Sequence, residues 1–420
     1  RFAVAVRQSC LEGVDPLQAV HVARCGESRA GSTVRNPPSR FFDPSGDVAT
    51  PHRGLPSPLF FLGAIDMKSG RSLVNLAQEL ERQLGSKRDL VLPASLLQCR
   101  TEEGGELKMI IDAKEGDGEY GVTDLARRQL ADKLRIPFTY FERMRREQPA
   151  LLDRNINTWL AGDEDRRMIR TLDGKVRAVL SDRYRRLDNF DLAENVLPIL
   201  QRLDVARFES VELTDTRMYL KVVTPRVEFE VAPGDVVQAG IVISNSEVGQ
   251  GTLSVQPLVY RLVCRNGLIA SDHSLRKTHV GRTVDGESDA VTVFRDDTLA
   301  ADDRAFFLKV RDVVEAAVSE ASFRQIAQKM QNTRGIRLTG DPVKAVEVLA
   351  NRYTLNDSER AGVLRHLIAE GDLSAYGLVN AVTHFSHDVA DYDRATDFEA
   401  LGGKLIELPA SDWREVVTAG

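Results

Sequence analysis

Apolar positions along the chain change their period several times. Leu73, Leu76, Leu80 and Leu84 recur at helical spacing up to Gly85, and Leu107 to Ala113 then reads as a short strand. Thr123-Asp124 is an N-cap signal for a helix carrying Leu125, Leu130 and Leu134. Ile136-Pro137 breaks it, Phe138 to Met144 begins another, and Pro149 to Leu160 a further one, which together predict a small helical lobe. Asp173-Gly174 between two β-prone runs predicts a type I′ hairpin over residues 166–180, because both central residues of that turn need positive φ. After Asp188, the positions Leu192, Val196, Leu197, Leu200 and Leu203 share one helical face, with Pro198 as the expected kink. From Val205 to about Ala270 the period becomes two. Phe208 to Leu213, Arg217 to Val223, Val236 to Ser244 and Thr252 to Cys264 read as strands between turn residues. The final third is helical again: Ala301 to about Met330 as one long helix, a helix opened by Asp341-Pro342, and another closed by Gly371.

This order predicts an α+β protein: a central, mostly antiparallel sheet, a helical lobe before it, and a helical C-terminal region packed on it. The expected division is an N-terminal extension over 1–66, an α+β/helical lobe over 67–162, a β-rich domain with the hairpin over 163–295, and a helical region over 296–420. Residues 1–66 are rich in Arg, Pro, Ser and Gly and show no sustained periodicity; the first methionine is Met67. The stretch reads as translated upstream sequence or a disordered extension. A transit peptide is the rival, opposed by Glu12, Asp15, Glu27, Asp43 and Asp47.

The hairpin carries the most charge. A two-residue turn sets Leu172 against Lys175, Arg170 against Arg177 and Met168 against Val179, leaving Ile169, Thr171, Val176, Ala178 and Leu180 for the core face. Two arginines facing each other destabilise a sheet, a conflict that a phosphate would relieve. Arg183, Tyr184, Arg185 and Arg186 follow directly. In the next sheet Met218, Leu220 and Val222 would face the core, leaving Arg217, Tyr219 and Lys221 as a basic row with an aromatic inside it, suited to stacking a base between cations.

Composition restrains this reading. A net charge of −6 makes any anion-binding surface local. With 42% hydrophobic and 28% charged residues the chain is an ordinary globular one, and no apolar run approaches the roughly 20 residues that span a bilayer. Beyond Met67 only Cys99 and Cys264 remain, which is no disulfide framework; the expected setting is cytoplasmic, without membrane.

Enzymatic signatures for nucleotide binding, the nucleophile elbow and zinc peptidases are absent. Three weaker constellations remain. Arg127, Arg128, Lys133, Arg135, Arg143, Arg145 and Arg146 surround a helix pair that resembles a helix-turn-helix without the usual small turn residue. His384 and His387, three apart, could meet one metal with Asp388 or Asp391 near. His273, Arg276, Lys277, His279 and Arg282 form a second cationic loop, and Cys264 would become a nucleophile if a histidine such as His273 came close.

Ile243-Ser244-Asn245-Ser246-Glu247-Val248-Gly249, Tyr260 to Leu268, Ser181 to Asn189, and Asn380-Ala381-Val382-Thr383 together resemble the phage- and plasmid-associated family known as domain of unknown function 932. The likeness covers much of Leu107 to Leu408. It implies a context of prophages and mobile DNA and no catalytic residues. The element order is also loosely similar to single-strand annealing proteins, an analogy of fold alone.

The leading expectation is therefore a non-enzymatic nucleic-acid-binding protein of mobile-element DNA metabolism, single-stranded DNA first. Arg170, Lys175, Arg177, Arg183, Arg185, Arg186, Arg217 and Lys221 would serve as cations and Tyr184 and Tyr219 as stacking platforms. Self-association into a homo-oligomer would multiply the patch. No cofactor, metal or catalytic residue is assigned. The alternatives are a protein-interaction or anti-defence module docking an acidic partner, and a metal-dependent enzyme using His384 and His387.

Overall fold

The computed structural model describes residues 70–112, 118–184, 186–200, 202–203, 206–270, 276–277, 296–317 and 319–420. The stretch 1–66, Arg185, and His273, His279 and Arg282 of the second cationic loop lie outside them.

Two six-stranded sheets organise the chain. The first comprises β1 (Arg88–Pro93), β2 (Leu97–Thr101), β3 (Leu107–Ile111), β4 (Gly118–Val122), β5 (Arg166–Leu172) and β6 (Lys175–Ser181). Their order is β1-β5-β6-β4-β3-β2, and all pairs are antiparallel except β4 with β6. The basic hairpin thus belongs to this first sheet and not to the central one in which the strand pattern placed it. Helices α2 (Asp124–Lys133), α3 (Phe138–Glu147) and α4 (Pro149–Ala161) cover one face, burying Ala126, Leu130, Phe141, Met144, Leu152 and Ile156 against Met109, Ile169 and Val179. The expected punctuation holds: the Thr123 hydroxyl accepts from Ala126 N–H, and α3 starts directly after Pro137.

The second sheet, β11-β10-β9-β8-β7, is an antiparallel meander of β7 (Arg207–Leu213), β8 (Met218–Ala232), β9 (Asp235–Asn245), β10 (Leu253–Arg261) and β11 (Asn266–Ile269), with the two-residue β12 (Arg276–Lys277) pairing β10. On one face Met218, Leu220, Val222, Ile241 and Ile243 pack under α1 (Leu73–Ser86), α5 (Asn189–Leu200) and α6 (Asp296–Ala317). The other face is covered by the C-terminal helices: α7 (Glu320–Thr333), α8 (Pro342–Tyr353), α9 (Asp357–Glu370), α10 (Ala375–Phe385), α11 (Tyr392–Ile406) and α12 (Ala410–Val417). Close approach of α11 requires glycine, since a Cβ on Gly403 would lie 1.9 Å from the Ile269 carbonyl oxygen.

The α+β expectation is met, with one correction in the last third. The single helix expected from Ala301 to Met330 is two helices, because the Ser319 side chain accepts from Ser322 N–H and caps a new start. Asp341 and Pro342 open α8 as expected, and Gly371, at φ +72°, closes α9.

Candidate nucleic-acid interface

The hairpin turn is as the sequence predicts. Asp173 and Gly174 take φ of +51° and +73°, and Leu172 faces Lys175. Beyond that the register departs: a bulge between Arg170 and Thr171 makes Arg170 face Ala178, so Arg170 and Arg177 are not opposed. Nor is there an outward cationic face. Arg170 is wholly buried, its Nε and Nη2 donating to Asp89 (2.7 and 3.0 Å), Nη2 also to Asp188 Oδ1 (2.6 Å), and Nη1 to the Glu247 carbonyl (2.8 Å). Lys87 Nζ lies 2.8 Å from Glu247 Oε1 and 3.7 Å from Asp188. Arg177 Nη1 lies 2.6 Å from Glu247 Oε2, while its Nε and Nη2 are buried without a hydrogen-bond partner. The charge conflict read from the sequence is thus relieved internally: Asp89, Asp188 and Glu247 supply the anions in place of a phosphate.

Glu247 is the hub. It enters from the loop after β9, where Asn245 to Val248 are all buried, and its carboxylate also accepts from Asn189 N–H (2.6 Å). Burial pushes this carboxyl upward, but Arg177, Lys87 and Arg170 together outweigh it and hold its pKa at about 2. Around it the loop is clamped by Gln129 to the Val248 carbonyl (2.8 Å) and by the Tyr184 hydroxyl to the Ser246 carbonyl (2.9 Å). Val248 fills an apolar patch with Met168, Ala178 and Leu180 of the hairpin. The loop of the second sheet is therefore a plug in the uncovered face of the first.

The row on β8 is closed as well. Tyr219 is buried, its ring 5.3 Å from that of Tyr392; Lys221 is buried with Nζ 2.5 Å from Glu399 Oε2 and 3.2 Å from Thr396 Oγ1. Arg217 is half-buried and donates to the Gln250 carbonyl (3.0 Å). Helix α11, some 175 residues further along, covers a face that local alternation leaves open. Of the residues expected to meet nucleic acid, Lys175, Arg183 and Arg186 are exposed; Tyr184 is half-buried, and burial pushes its phenol up to about 12.

The helical lobe offers more free charge. Arg127 pairs with Asp124 and Glu142, Arg145 with Glu142, and Arg143 with Glu147. Arg128, Lys133, Arg135, Arg146 and Arg154 are exposed and, among the described residues, form no ion pair. Arg128 stacks its guanidinium 4.1 Å over the Phe138 ring. Tyr140 and Trp159 are exposed aromatics of the same lobe, the latter at 59%. These residues were legible as a basic helix pair; the partners that neutralise Arg170 and Arg177 were not, being acids distant in sequence. His384 and His387 stand at the end of α10, and His384 lies beside Glu370 and Cys264; His273 is outside the described residues.

No described helix is long and apolar enough to cross a membrane. No curated protein and no solved structure matches the chain. The model of the family described as "Domain of unknown function (DUF932)" matches residues 176–400, from β6 through most of α11 and so through the Glu247 loop. That match spans more than half of the 420 residues, and the chain belongs to the DUF932 family.

Proposed function

We propose that the protein binds nucleic acid, single-stranded DNA before duplex, through the helical lobe α2–α4, with Lys175, Arg183 and Arg186 as a second group of contacts. The observation that supports this reading is the local charge surplus. Residues 124–161 hold eight Arg and Lys against five Asp and Glu in a chain whose net charge is −6, and five of those cations are exposed and unpaired. Arg128, Lys133, Arg135 and Tyr140 are exposed on and around the α2–α3 connection, a run that offers phosphate-binding cations and an aromatic face. The buried Arg170, Arg177, Tyr219 and Lys221 serve the scaffold in this reading. Association of several chains would extend a modest patch along one strand.

The test is a salt titration of fluorescent single- and double-stranded oligonucleotides. Each phosphate contact to a single strand contributes about 0.7 to the slope of log affinity against log salt. The triple change Arg128→Ala, Lys133→Ala, Arg135→Ala should lower that slope by about 2 with the fold intact. Absence of binding at low salt, or an unchanged slope, overturns the proposal and turns attention to an acidic protein partner.

A further inference from the structure

We propose that Cys264, Glu370 and His384 form a binding site for a zinc-like divalent cation. The sulfur, a carboxylate oxygen and a ring nitrogen all lie within 4.8 Å of one another. Zinc bonds of roughly 2.0 to 2.3 Å separate tetrahedral ligands by about 3.5 Å, so small side-chain rotations gather this set around one ion. Sulfur, nitrogen and a single carboxylate are a donor set for zinc rather than for magnesium or calcium, which take oxygen.

Each ligand comes from a different element, and each is held in place. Cys264 sits in the turn between β10 and β11, anchored one side by Asn266 Nδ2 donating to Thr383 Oγ1 (2.5 Å). Glu370 is the last residue of α9, fixed by the left-handed Gly371. His384 is in the last turn of α10, with Nδ1 2.9 Å from Glu370 Oε1. Burial is incomplete: the His384 and Glu370 side chains keep 21% and 19% exposure, so an ion and a fourth, non-protein ligand can reach the site.

The surroundings extend the set. His366, one helical turn before Glu370, lies with its ring 4.4 Å from His384, and its Nε2 is 2.8 Å from Asp388. Asp388 thereby holds the His366 ring in place against the ligand His384. His387 packs edge-on at 5.3 Å from His384, and both of its ring nitrogens are buried without a hydrogen-bond partner. An imidazole with no hydrogen-bond partner, packed against the ligand His384, is a further sign that the cluster is organised for something besides its own hydrogen bonds. One group opposes a cation: Arg261 Nη1 is 3.3 Å from Cys264 Sγ and 3.7 Å from Glu370 Oε2. Its charge is matched by Asp235, which it contacts at 2.8 and 2.9 Å. A thiolate and the Glu370 carboxylate then balance a dication.

The experiment uses the full chain stripped with chelator and titrated with zinc and with cobalt(II). The expected result is one equivalent bound and a near-ultraviolet thiolate-to-cobalt band that Cys264→Ser abolishes. Glu370→Gln and His384→Ala should weaken zinc binding by more than the roughly 10- to 100-fold typical of outer-shell changes. Should a variant misfold, alkylation of Cys264 in the unaltered chain, mapped by mass, replaces it: zinc should protect that thiol. Absence of stoichiometric binding, binding unchanged by Cys264→Ser, or alkylation unaffected by zinc overturns the assignment.

Discussion

The hairpin joint and the histidine cluster are both polar, both assembled from distant segments, and opposite in design. Around Glu247, the cations Lys87, Arg170 and Arg177 meet the carboxylates Asp89, Asp188 and Glu247, charge against charge, although Arg177 Nε and Nη2 have no hydrogen-bond acceptor. Around His384, the ring nitrogens of His387 have none, and three soft and hard donors converge without a cation among them other than Arg261. A polar cluster whose charges match is a fastening; one that gathers sulfur, oxygen and nitrogen ligand atoms beside an unpartnered imidazole is a place for something else. The arginines that first suggest a ligand are the ones the protein uses itself.

That contrast can be broken by substitution. The largest effect is expected at Glu247: Glu247→Ala strands Arg177 and leaves Lys87 with only the more distant Asp188, and such broken buried pairs cost about 3–5 kcal/mol. Denaturant unfolding should show the loss, whereas His384→Ala, which removes one partly exposed hydrogen bond to Glu370, should cost about 1 kcal/mol. Equal losses would erase the distinction between joint and site.

Acid probes the same difference. The Glu247 carboxyl titrates near 2 in the folded chain against an ordinary 4.5. Unfolded chains therefore take up its proton first as pH drops, and the stabilisation, on the order of 3 kcal/mol, is complete above about 4.5 and lost as pH falls toward 2. Stability curves of the unaltered chain and of Glu247→Gln should converge over that window; parallel curves would mean the carboxylate is not the hub.

Gly249 gives a smaller, steric test. It sits at φ +76° beside the plug, and a Cβ there would lie 2.7 Å from Leu180 Cδ2. Gly249→Ala should cost about 1–3 kcal/mol through strain and displacement of Leu180. Least affected should be the lobe: alanines at Arg128, Lys133 and Arg135 remove one exposed cation–π contact and no ion pair seen among the described residues, and should shift stability by no more than about 1 kcal/mol while weakening oligonucleotide binding.

Local chemistry was legible throughout. Thr123, Pro137, Asp173-Gly174, Asp341-Pro342 and Gly371 each fix their own turn or cap, and each does so within a few residues. What could not be read was closure. Arg170 finds Asp89 81 residues earlier and Glu247 77 later, so its burial is invisible to any alternation rule. The second face of β8 reads as open until α11 covers it. Arg177 escapes facing Arg170 through a bulge that no turn residue announces. The histidine cluster was half legible: His384 and His387 stand out at three-residue spacing, while His366 and Glu370, four apart on α9, carried an equally readable signal.

The Glu247 plug also bears on where this chain can be divided. The segment shared with the family starts at Val176, inside β6, one residue past the turn-side end of a strand that pairs with β5 and holds the plug against it. Cutting there would leave β6 without its neighbour, and Glu247 without Lys87 and Arg170. The stretch the family model matches is therefore smaller than what folds together in this chain, where the Glu247 loop closes only against strands that lie before it.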